Sequence, residues 1–181
     1  MTDLLVNLYS HRLDALGARV ADTPAVIRRA LPPETHVITD WVEAQFSRHW
    51  SSEVSVAMAH QPPGCLIATI DDQLVGFACF DATAKGFFGP TGVDETCRGK
   101  GVGLALFYHS LKALKDLGYA YAFIGKAGPI DFYRNAVGAM PIETRVSASS
   151  ESRVTSASAS PWAIVRTSSH PEAKSGAIQA S

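Results

Sequence analysis

Cysteine is scarce in this chain and poorly placed for chemistry. Cys65, Cys79 and Cys97 form no CxxC pair, and an odd count leaves no complete disulfide framework, which fits a reducing compartment. Each reads as a small buried hydrophobe rather than a ligand or a nucleophile. Six histidines are present, but no two share metal-ligand spacing, so no metal is expected. An excess of one charge is missing too. The 16 basic and 17 acidic residues leave a net charge of −1, so no overall basic field draws nucleic acid. No apolar run reaches the ~18 residues of a membrane span. Met1-Thr2-Asp3-Leu4-Leu5-Val6 has neither a basic n-region nor a cleavage site, so it does not read as a signal peptide. The expected protein is soluble, independent of membranes and cytoplasmic.

What is present is an ordinary globular composition. With 46% apolar and 18% charged residues, 181 residues suffice for one domain with a normal core. Residues 1–24 are the least legible: Leu4 to Tyr9 reads equally as a strand or a helix start, and Asp22-Thr23-Pro24 interrupts any element begun after it. Ala25 to Ala30 reads as a strand stopped by Pro32-Pro33. Thr35 opens a helical pattern in which Ile38, Trp41, Val42 and Phe46 share one broad face. A second short helix fits Ser51 to His60, with Ser51 or Ser52 as its N-cap, before Gln61-Pro62-Pro63-Gly64 ends it.

Cys65–Ile70 and Leu74–Phe80 then form a hairpin turned by Asp71-Asp72-Gln73. Phe87–Val93 is a further strand. A helix runs from the glycines at 99–103 to about Leu117, and Gly118 suits its C′ position. Tyr119–Ile124 comes directly after it as a strand, so 87–124 forms a β-α-β unit with parallel strands. Asp131–Val137 reads as a short helix and Pro141–Val146 as a strand. From Ser147 to Ser160 the composition changes: seven of 14 residues are serine and three alanine, which reads as a flexible linker. Trp162–Thr167 could return as a last strand, with a tail beyond it. The expected organisation is one domain over 1–146 and a linker and tail over 147–181.

The chemistry concentrates in Cys97-Arg98-Gly99-Lys100-Gly101-Val102-Gly103-Leu104. Three glycines in five residues open a helix whose Leu104, Phe107, Leu111, Leu114 and Gly118 recur on one face. A strand, a short glycine turn and a long helix leave several N–H groups free at a helix N-terminus, an anion site aided by the dipole. Glycines let a phosphate approach the backbone, and Arg98 and Lys100 add positive charge. A Walker loop is ruled out, because Gly101 stands where its hydroxyl residue belongs and Asp94 where its first glycine belongs. The dinucleotide fingerprint fails as well: started at Gly99 its last glycine falls on Leu104, and started at Gly101 on Leu106.

The pattern Arg-x-x-Gly-x-Gly, made by Arg98, Gly101 and Gly103, resembles the acyl-CoA pyrophosphate loop of the GNAT N-acetyltransferase superfamily. The order of elements from about Ala25 to Val146 resembles the GNAT fold as well. This likeness implies a mixed α/β sheet flanked by helices and splayed where the strands near Val93 and Phe123 part, with acetyl-CoA as co-substrate in the gap. It implies main-chain contacts to pantetheine from Thr91 and Val93. The pyrophosphate would lie on Arg98, Gly99, Lys100, Gly101, Val102 and Gly103. In Phe132-Tyr133-Arg134-Asn135-Ala136-Val137-Gly138-Ala139, Tyr133 matches the tyrosine that relatives use as general acid toward the departing thiolate. One extra residue precedes Gly138, Ala139 replaces an aromatic, and Lys126 stands roughly where relatives often carry an asparagine.

Direct attack on a thioester needs a neutral amine, hence a proton acceptor, and a main-chain donor for the oxyanion near Val93. Relatives often place a carboxylate on the strand before the loop, and Phe87–Val93 has none. Glu53 ranks first among the substitutes, ahead of Asp81 and Asp131. Trp41, Phe46 and Trp50 are candidates to line an acceptor pocket or simply to pack. The implied enzyme is an N-acetyltransferase acting on a primary amine of a small molecule, and the likeness leaves a homodimer open. Two rivals stand: a catalytically inactive CoA-binding sensor or interaction module, and a nucleotide-phosphate protein using the same loop.

Overall fold

Residues 2–128 and 130–142 are described in a computed structural model of the protein. The strands are β1 (Thr2–Asn7), β2 (Val26–Arg29), β3 (Cys65–Ile70), β4 (Gln73–Phe80), β5 (Phe87–Val93), β6 (Tyr121–Ala127) and β7 (Met140–Ile142). The helices are α1 (His11–Val20), α2 (Thr35–Gln45), α3 (Arg48–Met58), α4 (Val102–Asp116) and α5 (Ile130–Val137). One sheet holds all seven strands in the order β2-β3-β4-β5-β6-β1-β7. Every pairing is antiparallel except β5 with β6, the parallel pair of the β-α-β unit.

Helices cover both faces of the β3–β4 hairpin. Leu66 and Ala68 join Leu106, Leu111 and Leu114 of α4 in one core cluster, which also takes in α1, α5 and β1. Cys65, Ile67, Phe77 and Cys79 turn the other way, onto Ile38 and Val42 of α2 and Val54 and Ala57 of α3. Burial on both faces is why Cys65-Leu66-Ile67-Ala68 reads as an unbroken apolar run rather than an alternating one. The hairpin turns on Asp71 and Asp72, both at positive φ (49° and 60°), the primed geometry that matches strand twist.

Several local expectations need correction. The opening stretch is a strand, β1, and α1 comes after it: Ser10 caps that helix by accepting from the Arg12 N–H, and Leu13, Leu16 and Val20 form its buried stripe. Helix α3 begins earlier than serines 51 and 52 suggest. Ser47 is its N-cap, accepting from the Trp50 N–H at 3.3 Å, while Ser51 is buried inside the helix. Strand β6 starts at Tyr121 rather than Tyr119, because the Tyr119 N–H closes the end of α4 on the Leu114 carbonyl. Leu104 is only half-buried, and Ala105 and Leu106 face the core in its place. The expected strand at 141–146 is described as far as Ile142. The Ser/Ala-rich stretch and Trp162–Thr167 lie outside the described residues.

The position between β6 and β7 is filled by the first strand. Leu5 is opposite both Phe123 and Met140, and the Lys126 N–H donates to Asp3 Oδ1 at 2.8 Å.

Candidate active site

The helix after the glycine loop sets the first part of the site. Gly101 is the N-cap of α4 at φ +81°, Gly99 sits at φ +77°, and a Cβ on either would meet nothing within 4 Å. The first helical bond runs from the Ala105 N–H to the Gly101 carbonyl. The N–H groups from Gly99 through Leu104 therefore donate to no acceptor among the described residues. That is an open row of donors at the positive end of a 15-residue helix. Val102 anchors it, with a side chain buried at 1% exposure.

Strand β5 supplies the second part. Against β4, Ala78 is opposite Thr91 and Phe80 is opposite Phe88, two steps on one strand for three on the other. The extra residue is a bulge at Gly89-Pro90, with Gly89 at φ +114° and open space where its Cβ would be. Beyond the bulge the ladder alternates. The Asp94 N–H donates to the Val75 carbonyl, so Val75–Asp94 and Phe77–Gly92 are hydrogen-bonded pairs. Thr91 and Val93 consequently turn their main-chain groups away from β4, toward β6. There β6 has diverged: only Phe87–Phe123 and Phe88–Ile124 are in register, and the parallel pairing stops. The gap expected between Val93 and Phe123 is this opening. In the free protein Arg98 covers part of it, its Nε 3.4 Å from the Val93 carbonyl and its Nη1 3.1 Å from Glu95.

Tyr133 and Glu53 approach from opposite faces of the sheet. Tyr133 belongs to the core of α1, α4 and α5, where its ring meets Phe88, Phe107 and Phe132. It is 8% exposed, burial pushes its hydroxyl pKa up, and that hydroxyl has no hydrogen-bond partner among the described residues. Glu53 lies half-buried on α3, where it accepts from the Thr83 hydroxyl just before β5. The two are not in contact. Groups on opposite faces of a sheet can serve one reacting atom only where the sheet is open, and here that is the gap between β5 and β6.

The other carboxylates are occupied. Asp81 is 7% exposed and accepts from the Gly86 N–H, the Tyr119 hydroxyl and Lys85. Asp131 is exposed and paired with Arg134. Sequence reasoning missed two contacts at the site. One is the Thr83 hydroxyl on Glu53, which no local pattern announces. The other is Phe46 lying flat on Gly92, where a Cβ would stand 2.4 Å from the ring. A glycine in mid-strand is the sign of such a close approach.

The description Acetyltransferase (GNAT) family matches residues 35–138, more than half of the chain. The chain belongs to the GNAT acetyltransferase family. Its fold is that of the family's solved members. A GCN5-related glucosamine N-acetyltransferase region of a fungal multi-domain GH3 β-N-acetylglucosaminidase shares 18% identity at a TM-score of 0.63, over 78% of this chain and 19% of that one. A GCN5-related N-acetyltransferase from Sphaerobacter thermophilus shares 21% at a TM-score of 0.57, over 78% and 48%. A GNAT family acetyltransferase from Brucella melitensis, solved with acetyl-CoA, shares 23% at a TM-score of 0.49, over 62% and 81%. The chain thus spans a fifth to a half of the first two structures' length. No curated protein matches it. Among the described residues, no helix is long and apolar enough to cross a membrane.

Proposed function

We propose that this protein transfers an acetyl group from acetyl-CoA to a primary amine of a small molecule, by direct attack within a ternary complex. The observation that carries the reading is the row of N–H groups from Gly99 to Leu104, unpaired among the described residues. It continues into a strand whose open side bears the main-chain groups of Thr91 and Val93. The cradle fits a pyrophosphate because the space beyond Gly99 and Gly101 is open, with Arg98 and Lys100 exposed beside it. Acetyl-CoA supplies the activated thioester. Gly99, Gly101, Val102 and Gly103 bind through their N–H groups, and Thr91 and Val93 orient the extended arm by strand-like bonds.

Tyr133 holds the proton for the departing sulfur, since a hydroxyl with a raised pKa stays protonated at neutral pH. Glu53 takes the amine's proton through water on its second oxygen, which has no partner among the described residues, while the first accepts from Thr83. The alternative, a CoA-binding module without turnover, draws support from the absence of a carboxylate on β5.

Calorimetric titration tests the reading with acetyl-CoA, free CoA, ATP and NAD, on the wild type and on Gly101→Trp. Micromolar acetyl-CoA binding that the variant loses, together with turnover of some amine, is expected. Binding without turnover of any amine selects the alternative. No CoA binding at all sinks both.

A further inference from the structure

Three aromatic rings gather at the corner where α2 meets α3. Trp41 and Phe46 meet edge to face at 5.6 Å, while Phe46 and Trp50 lie 5.3 Å apart at only 31°. All three rest on Phe77, yet each stays half-buried rather than enclosed. Gly92 brings this corner to the site. Because it lacks a Cβ, the Phe46 ring lies directly on β5, between the residues whose main-chain groups face the gap. A cavity of about 430 Å³ opens beside the ring, between Gln45 at the end of α2 and the segment Val93–Thr96.

Charge narrows what this wall can receive. Asp94 and Glu95 border the cavity, and Glu53 stands one helical turn beyond Trp50 on α3. Among the described residues lining the cavity the cation is Arg98, which is paired with Glu95 and belongs to the glycine loop. Asp94 stays ionised, since the hydroxyl and N–H of Thr96 donate to it and hold its pKa down. An amine bearing a carboxylate or phosphate would meet the like charge of Asp94 and Glu95 here, while Arg98 serves the pyrophosphate. An amine on a flat apolar body would find rings to stack on and carboxylates to receive its ammonium.

We propose that the acceptor is an arylalkylamine without an anionic group, stacked on Phe46 and Trp50, and that Phe46, held on Gly92, selects it. This rests on the acetyltransferase reading above and names the substrate class of the same site.

Two measurements test it, both in a Trp162→Phe background so that only Trp41 and Trp50 report. The first is turnover of phenethylamine, phenylalanine, glucosamine and 1,5-diaminopentane by the wild type, Phe46→Leu and Trp50→Phe. Phenethylamine should exceed the other three in kcat/KM by about tenfold or more. Either substitution should lower that lead about tenfold, mostly through KM, with the KM for acetyl-CoA unchanged as the sign of an intact fold. Equal or better turnover of phenylalanine, glucosamine or the diamine overturns the inference. So does an equal loss for all four amines in the variants. The second is quenching of tryptophan fluorescence by phenethylamine, which needs no turnover. Saturable quenching without turnover keeps the arylalkylamine site on Phe46 and Trp50 and sinks the acetyltransferase reading, and with it the amine's role as acceptor. Quenching that phenylalanine or glucosamine matches, or no quenching and no turnover, sinks the inference.

Discussion

Strand β5 behaves in opposite ways at its two ends. At Phe87 and Phe88 it is zipped to β6, with Phe87 and Phe123 stacked at 5.4 Å and 22°. At Thr91 and Val93 the same side of the same strand has no neighbouring strand among the described residues. The closed end is held by side chains: Asp81 ties together Gly86, Lys85 and Tyr119, a residue shortly before β6. The open end is made by backbone, through a bulge, a parity and a run of glycines. The proposed cofactor site thus arises from withheld pairing, and the clasp marks the far end of the strand, where the pairing is kept.

The sharpest way to break this contrast is to silence the open end without touching the closed one. Tyr133→Phe should lower kcat roughly 100-fold while leaving acetyl-CoA affinity and melting temperature unchanged, because only a proton donor is removed. Its pH profile sharpens the point. Burial raises the Tyr133 pKa above 10, so its protonated form persists past that pH and activity falls only as pH rises through the raised value. That limb should vanish in the variant.

The reverse experiment attacks the clasp. Asp81→Ala leaves the Gly86 N–H and the Tyr119 hydroxyl unpaired and should cost about 2 kcal/mol, near 5 °C in melting temperature. Acetyl-CoA affinity should hold within about twofold, as for distant sites. A large loss of affinity would mean that the two ends are coupled. A smaller effect is expected from Glu53→Gln: a roughly tenfold drop in kcat with stability intact, because the amide oxygen still accepts from Thr83. Lost stability instead would make Glu53 a tie and not a base.

The smallest effect lies far from both ends, at Arg28 and Glu34. The charge-assisted bond from Arg28, then the Leu31 N–H bond and last the coulombic pull of Arg28, outweigh desolvation and hold the Glu34 carboxyl at about 2, below its ordinary 4.5. A depressed acid pKa adds stability above the unfolded value, lost as pH falls from about 4.5 through about 2. The pair is 40% and 28% exposed, so solvent screening keeps its worth under about 1 kcal/mol. Arg28→Met should flatten the acid side of the stability curve in that window and alter nothing at the gap.

The elements from β2 to β6 are largely legible because their signals are local: the Asp71-Asp72 turn, the Gly64 and Gly118 stops, the glycines of the loop. Helix α1 hides for a physical reason. Gly17 sits in its middle, a poor helix former, and is there because the Tyr108 ring occupies the place of a side chain, with Oη 2.7 Å from where a Cβ would be. That requirement comes from α4, 91 residues away in the chain, and no local pattern can carry it. The site divides similarly. The anion cradle is written in consecutive residues, whereas the setting of Glu53 depends on Thr83 and that of Phe46 on Gly92, pairs that only the folded sheet brings together.

The place of β1 between β6 and β7 has a temporal consequence. Its apolar residues Leu4, Leu5 and Val6 are synthesised well before their partners, which begin at Tyr121 and Met140. At ordinary translation speeds of about 5–20 residues per second, the strand waits roughly 6–25 s for its neighbours. Through that interval the β2–β5 half of the sheet can form while β1 stays unpaired, open to chaperones or to the same strand on another nascent chain.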